Sequence, residues 1–397
     1  MEILITSVVD LTKTSHNRLH EFIRHLSRNH SITVLSINDW WKTSQTDVSQ
    51  YQLGVEDILK GIDIRYFTAR KLSPYLQEVF SIVNLNRILK EIDYTRFDVH
   101  LNYNTLVSGY YVARKLKSAG INTVYDIADD LPQMIRNSPQ IPSVLRPLGR
   151  LVGTTMVNRN IKISSKVACI TDSLRDSYHV PQDKLEFIPN GVDTELFNSH
   201  PSRGLRQRLG IESDFVIGYA GILREWVDFE PVFAAIEHIS RDRHNVKVLI
   251  VGEEGGITKV ENLARKYQML ESVIFTGTVP YTKVPEYISG MDVCLIPFKA
   301  NALSHSALPL KLFEYMACEK PVICSRLTGV SQAVTDGVLY ASNEEEYQRN
   351  LVTLYNDREL RDRMGRRGRD FVEQSYSWAS IGSKLETALD EARGVVR

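Results

Sequence analysis

Two clusters in this chain combine residue types and spacing that could do chemistry. The first lies in Ala307-Leu308-Pro309-Leu310-Lys311-Leu312-Phe313-Glu314. Pro309 reads as the first residue of a helix, where proline forfeits no hydrogen bond and arrives with its φ already set. A helix start leaves unpaired N–H groups and the positive end of the macrodipole, and both suit a phosphate. Lys311 falls in the first turn, where a cation is unfavourable unless an anion sits close by, and Glu314 lies three residues on along the same face. One helix end thus offers backbone donors and an ammonium for phosphate, and a carboxylate for hydroxyls. The same spacing also fits an i,i+3 ion pair on a solvated face. The second cluster is Asp126, Asp129 and Asp130 in Tyr125–Pro132, at the end of a strand. Mutual repulsion should raise at least one of these carboxyls. A strand-end carboxylate is where a general base or a hydroxyl-orienting group would sit; equally, one aspartate could cap the next helix.

Weaker candidates surround the first cluster. In Gly218–Pro231, Gly218 and Gly221 permit close approach of the backbone to a ligand, and Arg224 is a forked donor suited to a diphosphate or a solvated loop arginine. Val251–Gly256, which contains Glu254, is a strand-to-helix glycine turn at the edge where open α/β sheets collect ligands; it lacks the dinucleotide Gly-x-Gly-x-x-Gly register. In the loop Val8–Arg18, Thr12, Thr14 and Ser15 read as caps of the helix after it.

The segment PLKLFEYMACEKPVI resembles the donor-site helix of family 4 glycosyltransferases, and Pro189–Phe197 resembles the Pro-Asn-Gly-Val-Asp-x-x-x-Phe signature of the same family. The resemblance covers residues 185–335 in several motifs, and residues 1–120 only in general α/β texture. It implies a GT-B fold: two doubly wound, Rossmann-like parallel-sheet domains facing a cleft, with a C-terminal helix crossing back to the first. It also implies donor contacts from Glu314 to the nucleotide ribose, from Lys311, Leu310 and Pro309 to the diphosphate, and from the backbone near Thr278 to the base. The family pattern carries another glutamate, separated by seven residues from the one at Glu314, where this sequence has Ser306. The family's usual arginine and lysine after the second domain's first strand are replaced by Ile222 and Trp226, so Arg224 is the substitute. A histidine common near the aspartate cluster is absent from Leu101 to Tyr178. Thr14, Ser15 and His16 stand where relatives contact the acceptor.

The resemblance and the residues together lead to an expected glycosyltransferase, moving sugar from a nucleotide-diphosphate sugar to a hydroxyl of a glycan, lipid-linked or small-molecule acceptor. Asp129, Asp126 and Lys311 are the catalytic candidates. No Asp-x-Asp occurs, so no metal or other cofactor is expected, and the helix end, Lys311 and Arg224 would stabilise the leaving diphosphate. Retention is implied by the resemblance; a base at Asp129 acting on the opposite face would give inversion. A silent sugar-nucleotide-binding protein and a GT-B epimerase are the alternatives.

These groups need a scaffold, and the 397 residues suit two domains better than one core. Short β-branched runs alternate with helical patterns throughout, the mark of parallel sheets in α/β layers. Expected boundaries are 1–190, 191–374 and 375–397, with a hinge over 188–204. One long helix is expected over Tyr75–Ile92. The 48 basic and 48 acidic residues balance, which argues against a nucleic-acid partner and against disorder. Four cysteines without a Cys-x-x-Cys pair read as buried hydrophobes in a reducing compartment. The start MEILITSVV lacks a leader pattern, and no apolar run approaches the roughly 18–20 residues of a membrane span. A cytosolic protein is therefore expected, or one on the cytosolic face of a membrane. The segment Ile141–Lys166 has five basic residues, no acidic one, and apolar residues at helical spacing. It reads as a core helix with a basic outer side or as a membrane-surface helix; Gly149 and Gly153 weaken it.

Overall fold

The computed structural model describes residues 1–14, 16–39, 55–68, 70–138, 141–240, 245–252 and 256–394. The chain forms two compact units: Met1–Pro189 together with the helix Trp378–Gly394, and Asn190–Ser377.

The first unit is built on seven strands: β1 (Glu2–Ser7), β2 (Ser31–Ser36), β3 (Asp63–Tyr66), β4 (Val99–Tyr103), β5 (Thr123–Ile127), β6 (Lys166–Cys169) and β7 (Leu185–Phe187). Their order is β3-β2-β1-β4-β5-β6-β7 and every pair is parallel. Ile3, Leu4 and Ile5 of β1 and Val124 and Tyr125 of β5 are fully buried, as continuous apolar strands covered on both faces should be. The order reverses between β1 and β4, so the loops after these strands flank a switch point, where ligands of such sheets bind. The terminal helix Trp378–Gly394 packs against the helix Arg18–Leu26 and against β4 and β5. Glu386 accepts from His25 and His30 (3.0 and 2.7 Å), and Phe22 meets Trp378 edge to face.

Two helical expectations need correction. The stretch over 75–92 is two helices, Pro74–Phe80 and Ile82–Glu91, broken at Ser81. The helix after the β1 loop begins at Arg18 and is capped by Asn17, whose side chain accepts from the backbone while His20 reaches back to the Asn17 N–H. Neither Thr12 nor Thr14 caps it; the Thr12 hydroxyl donates to Asp10 (2.8 Å). Ser15 lies outside the described residues.

The basic segment forms the helix Arg146–Ile163, and its packing differs from that of a core helix. Gly149 and Gly153 face the helix Leu131–Asn137. A β-carbon on Gly149 would fall 2.8 Å from Ile135, and one on Gly153 3.3 Å from Pro132. In the first half of the helix the glycines therefore make the close contact inward and the large apolar side chains point out, while Val157 and Ile161 further on are buried. Val144 is 82% exposed, Leu151 64% and Leu148 59%, with Leu145 and Val152 also exposed.

The second unit has six strands: β8 (Phe215–Ala220), β9 (Val246–Val251), β10 (Val273–Phe275), β11 (Val293–Ile296), β12 (Val322–Ser325) and β13 (Val338–Ala341), in the order β10-β9-β8-β11-β12-β13 and all parallel. Its switch point lies between β8 and β11. The helix Leu310–Ala317 buries Leu312, Phe313, Tyr315 and Met316. Its start corrects the expected role of Pro309, which is the extended N-cap residue (φ −65°, ψ 133°) and not the first helical one. The residues leading to it, Ala302–Ser306, form a short helix capped by the Asn301 side chain.

Candidate functional site

In the second unit, three strand ends are tied in sequence at the carboxyl edge of the sheet. Gly221 N–H donates to Val251 C=O (2.7 Å), and Gly252 N–H donates to Gly277 C=O (3.0 Å). Tyr315 joins the helix Leu310–Ala317 to the same edge, since its hydroxyl accepts from Ala220 N–H (2.8 Å) and donates to Ala220 C=O (3.2 Å). Strand ends and helix start thus form one platform.

Lys311 is seated on it. Its Nζ donates to the Tyr219 hydroxyl (2.6 Å) and stands 4.0 Å from the centroid of the Tyr219 ring. That hydroxyl in turn donates to Ile222 C=O (2.9 Å), and Phe229 meets the ring edge-on. Gly221 has φ +132°, and a β-carbon there would lie 2.5 Å from Nζ. Glycine is required twice over, by the backbone conformation and by the ammonium resting against it. Desolvation is the main cause of a Lys311 pKa lowered to about 7; Glu314 opposes the shift and the Arg224 charge adds to it. An ammonium that loses its solvation without a close carboxylate is poised for an incoming anion.

Glu314, half-buried, accepts from the Tyr281 hydroxyl (3.1 Å). Leu310 and Pro309 are half-buried at the helix start, Arg224 is exposed, and Thr278 is half-buried one residue beyond Gly277. Ser306 is buried and its hydroxyl turns back to Ala302 C=O (3.2 Å). Glu254 lies outside the described residues. The structure therefore brings Lys311, Glu314, Leu310, Pro309 and Gly221 together. Sequence reasoning missed Tyr219, although its place at the end of β8, two residues before Gly221, was a signal.

In the first unit, Asp126 is wholly buried and received by Arg18 through two bonds, Nε to Oδ2 and Nη2 to Oδ1, both 3.1 Å. Arg18 also donates to Ile188 C=O (2.7 Å) and Pro189 C=O (2.5 Å). Asp126 thereby fixes the arginine that pins the end of the first unit's chain; its carboxyl is raised by burial and lowered by Arg18. Asp130 caps the helix Leu131–Asn137 through Gln133 N–H (3.1 Å) and accepts from the Tyr178 hydroxyl (2.6 Å). Asp129 is the exposed member. Its exposure tempers the desolvation that raises the carboxyl to about 7; Arg18 opposes the rise, and Asp126 and Asp130 add to it. Of the acceptor-side candidates, Thr14 is half-buried, and the His16 ring pairs with buried Glu21 (2.6 Å).

Two families match this chain. Residues 202–371 match "Glycosyl transferases group 1" and residues 16–196 match "Glycosyltransferase Family 4". A D-inositol 3-phosphate glycosyltransferase of Segniliparus rotundus is 26% identical over 61% of this chain and 55% of its own length. A GDP-mannose-dependent alpha-(1-6)-phosphatidylinositol monomannoside mannosyltransferase of Mycolicibacterium smegmatis is 24% identical over 54% of this chain and 58% of its own. The chain thus spans little more than half the length of the curated relatives it matches. Among solved structures, sucrose-phosphate synthase of Thermosynechococcus elongatus superposes with a TM-score of 0.78 at 14% identity, over 98% of both chains. Anabaena HepE in complex with UDP and glucose superposes at 0.72 and 18% identity, over 98% of this chain and all of its own. The two parallel-sheet domains are those of the GT-B fold.

Proposed function

We propose that this chain, with its Family 4 domain followed by its group 1 domain, is a glycosyltransferase that moves a sugar from a nucleotide-diphosphate sugar to an acceptor hydroxyl. One observation carries the reading: the Lys311 ammonium, seated on Gly221 and Tyr219 at a helix start, with Glu314 one turn further on. The second unit binds the donor. The helix end and Lys311 meet the diphosphate, Arg224 adds a second cation from the β8 loop, and Glu314 accepts from the ribose hydroxyls. Leu310 and Pro309 place the first N–H groups, and the Thr278 backbone lies toward the base. As the bond from the anomeric carbon to the diphosphate breaks, negative charge collects on the leaving oxygen. A preorganised ammonium then gains most, and no metal is needed. The acceptor oxygen forms the new bond and gives up its proton.

The first unit handles the acceptor, with Asp129 orienting the hydroxyl or taking its proton and Asp126 holding the loop through Arg18. Asp129 is the exposed member of its cluster and so the one open to an acceptor hydroxyl. The family likeness favours retention of configuration, a glycan or lipid-linked acceptor, and action on the cytosolic side of a membrane. The nucleobase is open to test, because one relative is named for GDP-mannose and HepE was solved with UDP.

The buried Ser306 favours a second reading, a sugar-nucleotide-binding protein without turnover, since the first glutamate of the family pattern is missing there. Thermal shift of the purified protein with UDP-, GDP-, ADP- and dTDP-sugars, then a turnover assay with the donor that binds, separates the two. Binding to the native state raises stability by mass action. No stabilisation by any of these donors would overturn the assignment, and binding without turnover would leave the second reading.

A further inference from the structure

The outward apolar face of the helix Arg146–Ile163 contains none of the residues assigned above to donor or acceptor, and large apolar side chains gathered on a protein surface mark an interaction site. Val144, Leu148 and Val152 recur at intervals of four and Leu145, Leu148 and Leu151 at intervals of three, with Val144 and Leu145 in the turn Ser143–Leu145 that leads into the helix, and all are exposed. Exposed Arg159 and Lys162 continue the same stripe toward the helix end. At that end Lys117 Nζ reaches Ile163 C=O (3.4 Å), and Lys184 donates to Ile161, Lys162 and Ser164 C=O (3.2, 3.1 and 2.8 Å). Lys166 is taken up by Glu186 and Glu391 and contributes little positive field. Asp183, beside Lys184, is the acid in reach of that cluster. Residues 141–166 themselves contain no acid. The face is apolar at one end and cationic at the other.

We infer that this face docks the protein on an anionic lipid surface. A bilayer with anionic headgroups answers both halves of the stripe: the apolar side chains enter the headgroup boundary and the cations meet the phosphates. Gly149 and Gly153 are what make this possible. By giving the inward contact to residues without side chains, the helix holds its leucines outward at no loss of packing to the core. A second outward stripe, Leu76, Val79, Phe80 and Val83, belongs to Pro74–Phe80 and the start of Ile82–Glu91. Pro74–Phe80 packs, like Arg146–Ile163, on the helix Val107–Lys117.

The test is flotation of the whole protein with phosphatidylcholine vesicles, with and without roughly a third phosphatidylglycerol. It needs no donor sugar, so its failure and a failure of the glycosyl-transfer reading are told apart. The protein should float with the anionic vesicles and far less with the neutral ones. The double substitution Leu148→Ser/Leu151→Ser should lower partitioning on the order of 100-fold. Arg159→Gln/Lys162→Gln should lower it about five-fold for each charge removed while leaving every apolar contact in place. The inference is overturned if the unmodified protein stays unbound, or if both double variants float as it does. It is equally overturned if light scattering shows a dimer that the leucine substitutions convert to monomer, which would make the face a contact between two copies.

Discussion

If Lys311 meets a diphosphate, donor binding must take up a proton, and the amount is set by the platform beneath the lysine. In the empty protein its pKa is lowered to about 7, by desolvation and the nearby Arg224, against Glu314. A diphosphate at the helix start supplies the missing counter-charge and returns the amine toward the ordinary lysine value near 10.4. At pH 8 about one tenth of the empty sites are protonated and nearly all occupied ones are, so each binding event takes up about 0.9 proton; at pH 6 the figure is about 0.1. The bound form holds the extra proton, so affinity is highest below pH 7 and weakens up to about tenfold per unit as pH rises from 7 toward 10. Calorimetric titration of the nucleotide in buffers of different ionisation enthalpy gives the proton count as a slope, and Lys311→Met should flatten it. A slope near zero at pH 8, or proton release, would refute the argument, because Lys311 would then be charged in the empty protein or remote from the phosphates.

Other outcomes rest on the same geometry. Glu314→Gln should weaken nucleotide-sugar binding by about 1.5–3 kcal/mol in calorimetry with the melting temperature little changed, because a ribose hydroxyl loses a charged acceptor. Gly221→Ala must fit a side chain at φ +132° and against the ammonium, so denaturant titration should show a loss of about 1–3 kcal/mol and donor stabilisation should vanish. Asp126→Ala strands Arg18 without its buried partner and should cost about 3–5 kcal/mol in the same titration; a loss under about 1 kcal/mol would mean that the pair is solvated. Transfer should persist in excess EDTA, and activity lost there and restored by Mg²⁺ or Mn²⁺ would show that a metal shares the work of Lys311.

The alternation of β-branched runs and helical patterns made the two parallel sheets legible, and the runs Phe215–Ala220, Val246–Val251 and Val293–Ile296 are the strands themselves, because fully buried strands are written as unbroken apolar runs. The edge strand Val338–Ala341 was not legible; it is short and only partly buried, so little apolar sequence marks it. Asn17 escaped because its cap is completed by His20 in place of the usual glutamate. Lys311 could be placed beside Glu314 by spacing, yet its closest partner is Tyr219, 92 residues away, which no local pattern encodes. For Arg146–Ile163 the sequence left a core helix and a surface helix open, and the exposed Leu148 and Leu151 do not fit the first. Hydrophobic periodicity assumes that leucines pack and glycines do not, and here the glycines pack.

The helix Trp378–Gly394 gives the first unit a peculiar place in time. A ribosome releases the residues of this unit in two instalments, the sheet before and the helix after the whole of Asn190–Ser377. Until residue 394 emerges, Phe22 lacks Trp378, His25 and His30 lack Glu386, and Asn122 lacks the Ala392 carbonyl to which it donates (2.9 Å). The second unit, contiguous in sequence, can close before that helix is made; the first waits for it. A chain truncated by its last twenty residues would therefore strip an apolar face from the half made first, and any attempt to produce that half alone must supply the distant helix with it.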